Sequence, residues 1–258
     1  MLQTDFIEVN GLTYHIQRII KDSSLPTIVF LHDSLGSVKL WRDFPENLAE
    51  IANCNVLVYD REGHGESSPF SITKRPINYL EQGADTLHLI ASKLNLNKII
   101  LFGHSDGATI SLWYAAKYPE NLLGTIVEGV HVFVEEETLN GIRDAKKALE
   151  TTNLADRVAK YHGDKTELLF KMWMDTWLSN DYRDWNIEKD IQGIKTPVLV
   201  FQGKNDEFGT MEQVKKIEQN IKGKFTSYLI ENCGHNPHKE QTEFTLEKSK
   251  EFIIANTI

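Results

Sequence analysis

Short runs of consecutive apolar residues recur along the chain: TIVFLH (27–32), NVLVYD (55–60), KIILFGHS (98–105), GTIVEGV (124–130) and PVLVFQG (197–203). Runs of this length, bounded by polar or Gly-containing turns and separated by helix-length segments, are what parallel strands covered on both faces require. The amino terminus is patterned differently. FIEVNGLTYHIQRI alternates about Asn10-Gly11, which predicts a hairpin at the sheet edge. Between the runs, helical spacing over 43–51, 79–94, 106–118, 211–220 and 242–255 predicts a doubly wound, mostly parallel α/β sheet. Ligands in such sheets bind beyond the carboxyl ends of the strands, so the residues following each run are the first candidates for chemistry.

One stretch breaks the alternation. Residues 132–188 contain no strand pattern, only helical periodicity such as Leu139, Ile142, Ala145 and Leu149, and then the aromatic-rich LLFKMWMDTWLSNDYRDW. The expected organisation is a core of residues 1–131 and 189–258 with a helical cap, 132–188, inserted between two strands. Trp173 and Trp177 lie four apart on one helical face, suited to core packing or to the wall of a pocket.

The residues after the third run read Gly103-His104-Ser105-Asp106-Gly107 and lead into an amphipathic helix. A strand, a GxSxG turn and a helix form a nucleophile elbow, in which small residues let strand and helix approach while the serine projects from the sheet edge. Ser105 is the expected nucleophile. A serine needs a base, and SYLIENCGHNPH supplies His235, with His238 as the competing choice. The acid that orients the histidine is expected after the preceding strand, where PVLVFQGKNDEFGT offers Asp206; Glu207 and Glu128 are alternatives. The backbone amides of Asp106 and Ser34 are the expected oxyanion donors. His32, Asp33, His131 and Phe133 follow strands and are expected to border the substrate.

These residues resemble the α/β-hydrolase superfamily over the whole chain. LHDSLGSVKLWRDF is similar to the family's oxyanion loop, with Asp33 where the family usually has glycine, and YDREGHGES is similar to its Asp-x-Arg-Gly-x-Gly-x-Ser turn, with Glu62 as a departure. GHSDG together with NGIRDAKKA resembles the biphenyl-hydrolase-like branch that includes valacyclovir hydrolase. That resemblance implies that the side chain of the residue after the nucleophile, here Asp106, recognises a substrate ammonium group.

Composition narrows the partners. With 37 acidic against 28 basic side chains the formal charge is −9, which leaves no basic excess for a phosphate backbone. Two cysteines, Cys54 and Cys233, are too few for a disulfide framework, and Asp5 and Glu8 stand where a signal peptide would be basic and then apolar. No run approaches the ~20 apolar residues of a membrane span. A cytoplasmic enzyme without metal or cofactor, acting on a small ester or related acyl substrate, is expected. The resemblance adds a preference for α-amino esters to this expectation, whereas a C–C, thioester or amide bond and a binding protein with a vestigial site stand as alternatives. Fold and triad do not separate these chemistries, and the pattern does not address the oligomeric state.

Overall fold

The apolar runs form the middle of one eight-stranded sheet. The computed structural model describes residues 3–257. The hairpin comes first, β1 (Gln3–Val9) and β2 (Leu12–Ile19), turned by Asn10 at φ 51° and Gly11 at φ 78°. Both turn residues are left-handed, as a two-residue type I′ hairpin needs. Next come β3 (Thr27–Leu31), α1 (Phe44–Ala52), β4 (Asn55–Tyr59), α2 (Tyr79–Lys93), β5 (Ile99–His104), α3 (Asp106–Lys117) and β6 (Leu122–Glu128). Three helices follow without an intervening strand: α4 (Glu136–Thr151), α5 (Leu154–His162) and α6 (Thr166–Trp177). The chain ends with β7 (Val198–Gly203), α7 (Met211–Asn220), β8 (Phe225–Ile230), the single turn α8 (Pro237–Glu240) and α9 (Thr242–Thr257). Expected boundaries are met within one or two residues, the ordinary scatter of element ends.

The strand order is β1-β2-β4-β3-β5-β6-β7-β8, with the β1–β2 and β2–β4 pairs antiparallel and the other five pairs parallel. Every residue of β3, β4, β5 and β7 is buried, so the side-chain alternation of each strand divides between two cores. Val29, Leu31, Leu57 and Leu101 face α2, α3 and α7, whereas Ile28, Phe30, Val56 and Phe102 face α1 and α9. Truncating such a residue to alanine costs about 2–5 kcal/mol. β8, at the edge, is only half-buried. α4 and α6 join the first core through Ile142, Trp173, Met174 and Trp177, whereas α5 buries only His162. The chain between α6 and β7 returns through an isolated bridge of Asn186 to Phe133. Among the described residues no helix is long and apolar enough to cross a membrane.

Candidate active site

Ser105 stands at the carboxyl end of β5 with φ 54° and ψ −119°, a conformation costly for a residue with a Cβ and typical of functional turns. The flanking glycines make the turn feasible. A Cβ on Gly103 would meet Ser111 Oγ and the Gly107 carbonyl, and one on Gly107 would run into the Leu31 and His32 carbonyls. α3 therefore packs against β3 closely enough to carry Ser105 to the sheet's end, with the Asp106 amide at its first position, where a helix has no internal acceptor.

His235 follows β8, and its Nδ1 donates to both carboxylate oxygens of Asp206, at 2.8 and 3.0 Å. Asp206 also accepts the Phe208 amide at 2.8 Å, the Gly209 amide at 3.2 Å and Gln202 Nε2 at 2.9 Å. Burial pushes the Asp206 carboxyl up, but the attraction and hydrogen bond of His235 and the Phe208 amide outweigh it, leaving the group at about 2. Burial likewise disfavours a charged His235, and Asp206 reverses that, raising the imidazole above its ordinary 6.5. Gly129, at φ 54°, makes room for the ring, since a Cβ there would lie 2.7 Å from His235 Cε1.

The competing residues form a second pair. Glu128 accepts from both His238 Nδ1 and the His238 amide, and both side chains are buried. His104 Nε2 donates to the His235 carbonyl at 2.9 Å. His104, Glu128 and His238 thus bring ligand-type atoms within 4.8 Å of one another, but those atoms are bonded among themselves and to the backbone rather than splayed about a centre. Glu207 makes no hydrogen bond to His235.

Histidines contact three successive carbonyls of the 33–35 loop and hold two of them, those of Asp33 and Leu35. The Asp33 carbonyl accepts from His32 Nδ1 at 2.8 Å and Arg61 Nη2 at 2.6 Å, and the Leu35 carbonyl accepts from His162 Nε2 at 2.9 Å. His64 lies between the carbonyls of Ser34 (3.1 Å) and Glu62 (2.8 Å), and as a neutral ring donates to one of them. Backbone donors set two of the tautomers: the Arg61 amide donates to His32 Nε2 at 3.0 Å and the Gly65 amide to His162 Nδ1 at 3.0 Å. Burial, reinforced by the Arg61 charge, lowers His32 to about 3, and burial takes His64 well below 6.5. Across a trans peptide the carbonyl and the next N–H point to opposite sides. Anchoring the Asp33 carbonyl therefore aims the Ser34 amide the other way, and that amide has no acceptor among the described residues.

Ser105, His235, Ser34, Asp33, Asp106 and His131 line one cavity of about 230 Å³, closed by Trp173, Trp177, Ile142, Ala145, Leu154 and Phe208. It is smaller than the ~300–1,000 Å³ of sites for drug-sized ligands. The two tryptophans do pack into the core, each with one face on the cavity. Burial holds His131 at about 4, neutral near neutral pH. Ile142 and Ala145 were legible only as a helical stripe, and nothing in the sequence marked Leu154 or Phe208.

Three expectations are corrected. His32 does not line this cavity; both its ring nitrogens are engaged behind the loop. Phe133 also lies outside it, bridged to Asn186 and packed against the core. The Asp106 carboxylate is buried between the Arg61 and Arg75 guanidiniums, at 3.6 and 3.9 Å, and accepts from Tyr79 OH at 3.2 Å. A carboxylate already faced by two cations adds little attraction for an ammonium group, so this geometry does not favour the side chain of Asp106 as an amine site.

Residues 26–167 match the family model described as alpha/beta hydrolase fold. The chain is 25% identical to a putative esterase/lipase of Haemophilus influenzae, with 95% of this chain and 89% of the relative covered. It is 26% identical to the human serine hydrolase BPHL, covering 90% of this chain and 80% of that protein. The solved structure of a serine hydrolase from Cycloclasticus zankles superposes with a TM-score of 0.80 at 17% identity, covering 98% of both chains.

Proposed function

The chain belongs to the α/β-hydrolase family, and on that premise we propose that it is a serine hydrolase cleaving a small carboxylic ester with an apolar acyl group through an acyl-enzyme. The observation that carries the reading is the His235–Asp206 pair opening on the same cavity as Ser105 in its left-handed elbow. Ser105 Oγ attacks the ester carbon while His235 Nε2 takes its proton, and Asp206 holds the ring in the tautomer that leaves Nε2 free. The amides of Ser34 and Asp106 receive the negative charge that develops on the carbonyl oxygen. Collapse expels the alcohol, protonated by His235, and water attacks the acyl-enzyme by the same proton path.

Residues 132–188 act in this reading as a cap whose Ile142, Ala145, Trp173 and Trp177 form the apolar wall. Through His162 and Lys165, whose Nζ donates to the Gly65 and Ser67 carbonyls at 2.6 and 2.7 Å, the cap also grips the 62–67 turn beside the oxyanion loop. The wall that the cap contributes is mostly apolar, which favours an uncharged acyl group. The two cysteines, both free and buried, suit a reducing cytoplasm.

The test is a p-nitrophenyl ester series from acetate to octanoate, run beside an amino-acid benzyl ester and its des-amino analogue. Turnover should be highest for short acyl chains, with no gain from the amino group. An absence of fluorophosphonate labelling at Ser105, or hydrolysis no faster than buffer on every ester, would overturn the proposal.

A further inference from the structure

Arg75 precedes α2 with a side chain only 4% exposed, yet none of its guanidinium donors makes a hydrogen bond to a described residue. Its nearest carboxylate oxygen, Asp106 Oδ2, is 3.9 Å away, beyond hydrogen-bond reach, and that oxygen also lacks a donor. The cation is held instead over aromatic faces, 4.6 Å from the Tyr79 ring centroid and 5.6 Å from that of Phe70. Arg61 repeats the anomaly in milder form: its Nη2 is used on the Asp33 carbonyl, but its Nε is buried without an acceptor.

Buried guanidinium groups are normally saturated with acceptors, because five donors stripped of water are costly. These two donors point to a missing acceptor rather than to a finished ion pair. Arg61 and Arg75 line a shared cavity of about 140 Å³, and Arg75 also borders a second, of about 420 Å³, against α6. Neither cavity includes Ser105 or His235. Two guanidiniums face the one buried carboxylate of Asp106, and the Glu62 carboxylate, held by the Ser71 amide at 2.6 Å, lies at the rim of the smaller cavity.

We propose that the space at Arg75 and Arg61 is a binding site for a small monocarboxylate, distinct from the catalytic cavity. A planar carboxylate matches the edge of a guanidinium with two parallel hydrogen bonds, whereas a dianion would bring a second negative charge beside Asp106 and Glu62. The site reaches the catalytic wall through hydrogen bonds, since Trp177 Nε1 donates to Tyr79 OH at 3.0 Å and Tyr79 OH to Asp106 at 3.2 Å. Occupancy is thereby reported by tryptophan emission.

The experiment titrates the whole protein with sodium acetate, following tryptophan fluorescence and calorimetry, against sodium chloride and sodium sulfate at equal ionic strength. Acetate should saturate with a Kd in the millimolar range, and sulfate should bind at least tenfold more weakly. Arg75→Gln should raise the acetate Kd at least tenfold, and Arg75→Lys, which keeps the charge but not the fork, about threefold. Binding needs no catalysis, so Ser105→Ala should bind acetate as the wild type does even if no ester is ever found. A wild-type response that never departs from the chloride control, a preference for sulfate, or an unchanged acetate Kd in folded Arg75→Gln or Arg75→Lys overturns the site.

Discussion

Asp206→Asn tests the proposed triad at the residue that orients His235. The carboxylate is depressed from 3.8 to about 2, which at 1.36 kcal/mol per pH unit means that the fold favours its ionised form by about 2 kcal/mol more than water does. Asparagine is the neutral isostere. Its single acceptor oxygen must serve donors that now converge on two oxygens, namely His235 Nδ1, the Phe208 and Gly209 amides and Gln202 Nε2. The amide nitrogen then faces another donor or turns the imidazole to the wrong tautomer. A wrong tautomer costs on the order of 10⁴ in kcat, about 5 kcal/mol of barrier, in the serine protease on which the triad is described. The same scale is expected here with p-nitrophenyl butyrate.

The pH profile gives a second readout of that substitution. His235 must be neutral to act as base, and Asp206 raises it above 6.5, so the acid limb of wild-type kcat/KM should have its midpoint above pH 6.5. In Asp206→Asn burial is opposed only by the charges of Glu207 and Asp33, and the midpoint should move to lower pH. The stability effect has the opposite dependence: a depressed carboxylate contributes above its unfolded value of ~3.9 and loses that contribution as pH falls through about 2. The variant should therefore melt about 4–8 °C below wild type at pH 7, with the gap closing in strong acid. A folded variant within tenfold of wild-type kcat and with an unmoved acid limb would refute the assignment of Asp206.

Ser105→Ala should abolish covalent labelling and turnover while leaving the melting curve near wild type, read by fluorophosphonate gel and calorimetry. Glu128→Gln breaks a buried pair with His238 rather than the catalytic one, so it should cost about 3–5 kcal/mol of stability in denaturant. The folded fraction should keep kcat within tenfold; a larger loss would move the acid to β6. Gly129→Ala should lower kcat at least tenfold with little change in KM, because its Cβ would press on His235 Cε1. His162→Ala removes the donor to the Leu35 carbonyl and the acceptor of the Gly65 amide. It should lower kcat by roughly ten- to a hundredfold in stopped assays while fluorophosphonate still labels Ser105.

The sequence by itself determined the sheet and marked the candidate positions of the chemistry. Continuous apolar runs identify strands buried on both faces, Asn10-Gly11 marks the hairpin, and the residue types after the runs read as nucleophile, acid and base, because these are local constraints of period, turn geometry and reactivity. Local pattern ranked His235 over His238, and Asp206 over Glu207 and Glu128, without showing which carboxylate meets which histidine. Folding brings Asp206 to His235 and Glu128 to His238. The misreadings have the same origin. Asp106 looked like a free counter-charge because Arg61 and Arg75 lie 45 and 31 residues away in the chain (106 − 61 and 106 − 75), yet both face it in space. His32 and Phe133 sat in the right loops but turned toward other partners, while Leu154 and Phe208 reached the cavity from segments with no chemical signature. A side chain's residue type sets what it can do, but which way it points, and which charges lie opposite, follow from contacts between segments distant in sequence, and those only the tertiary structure decided.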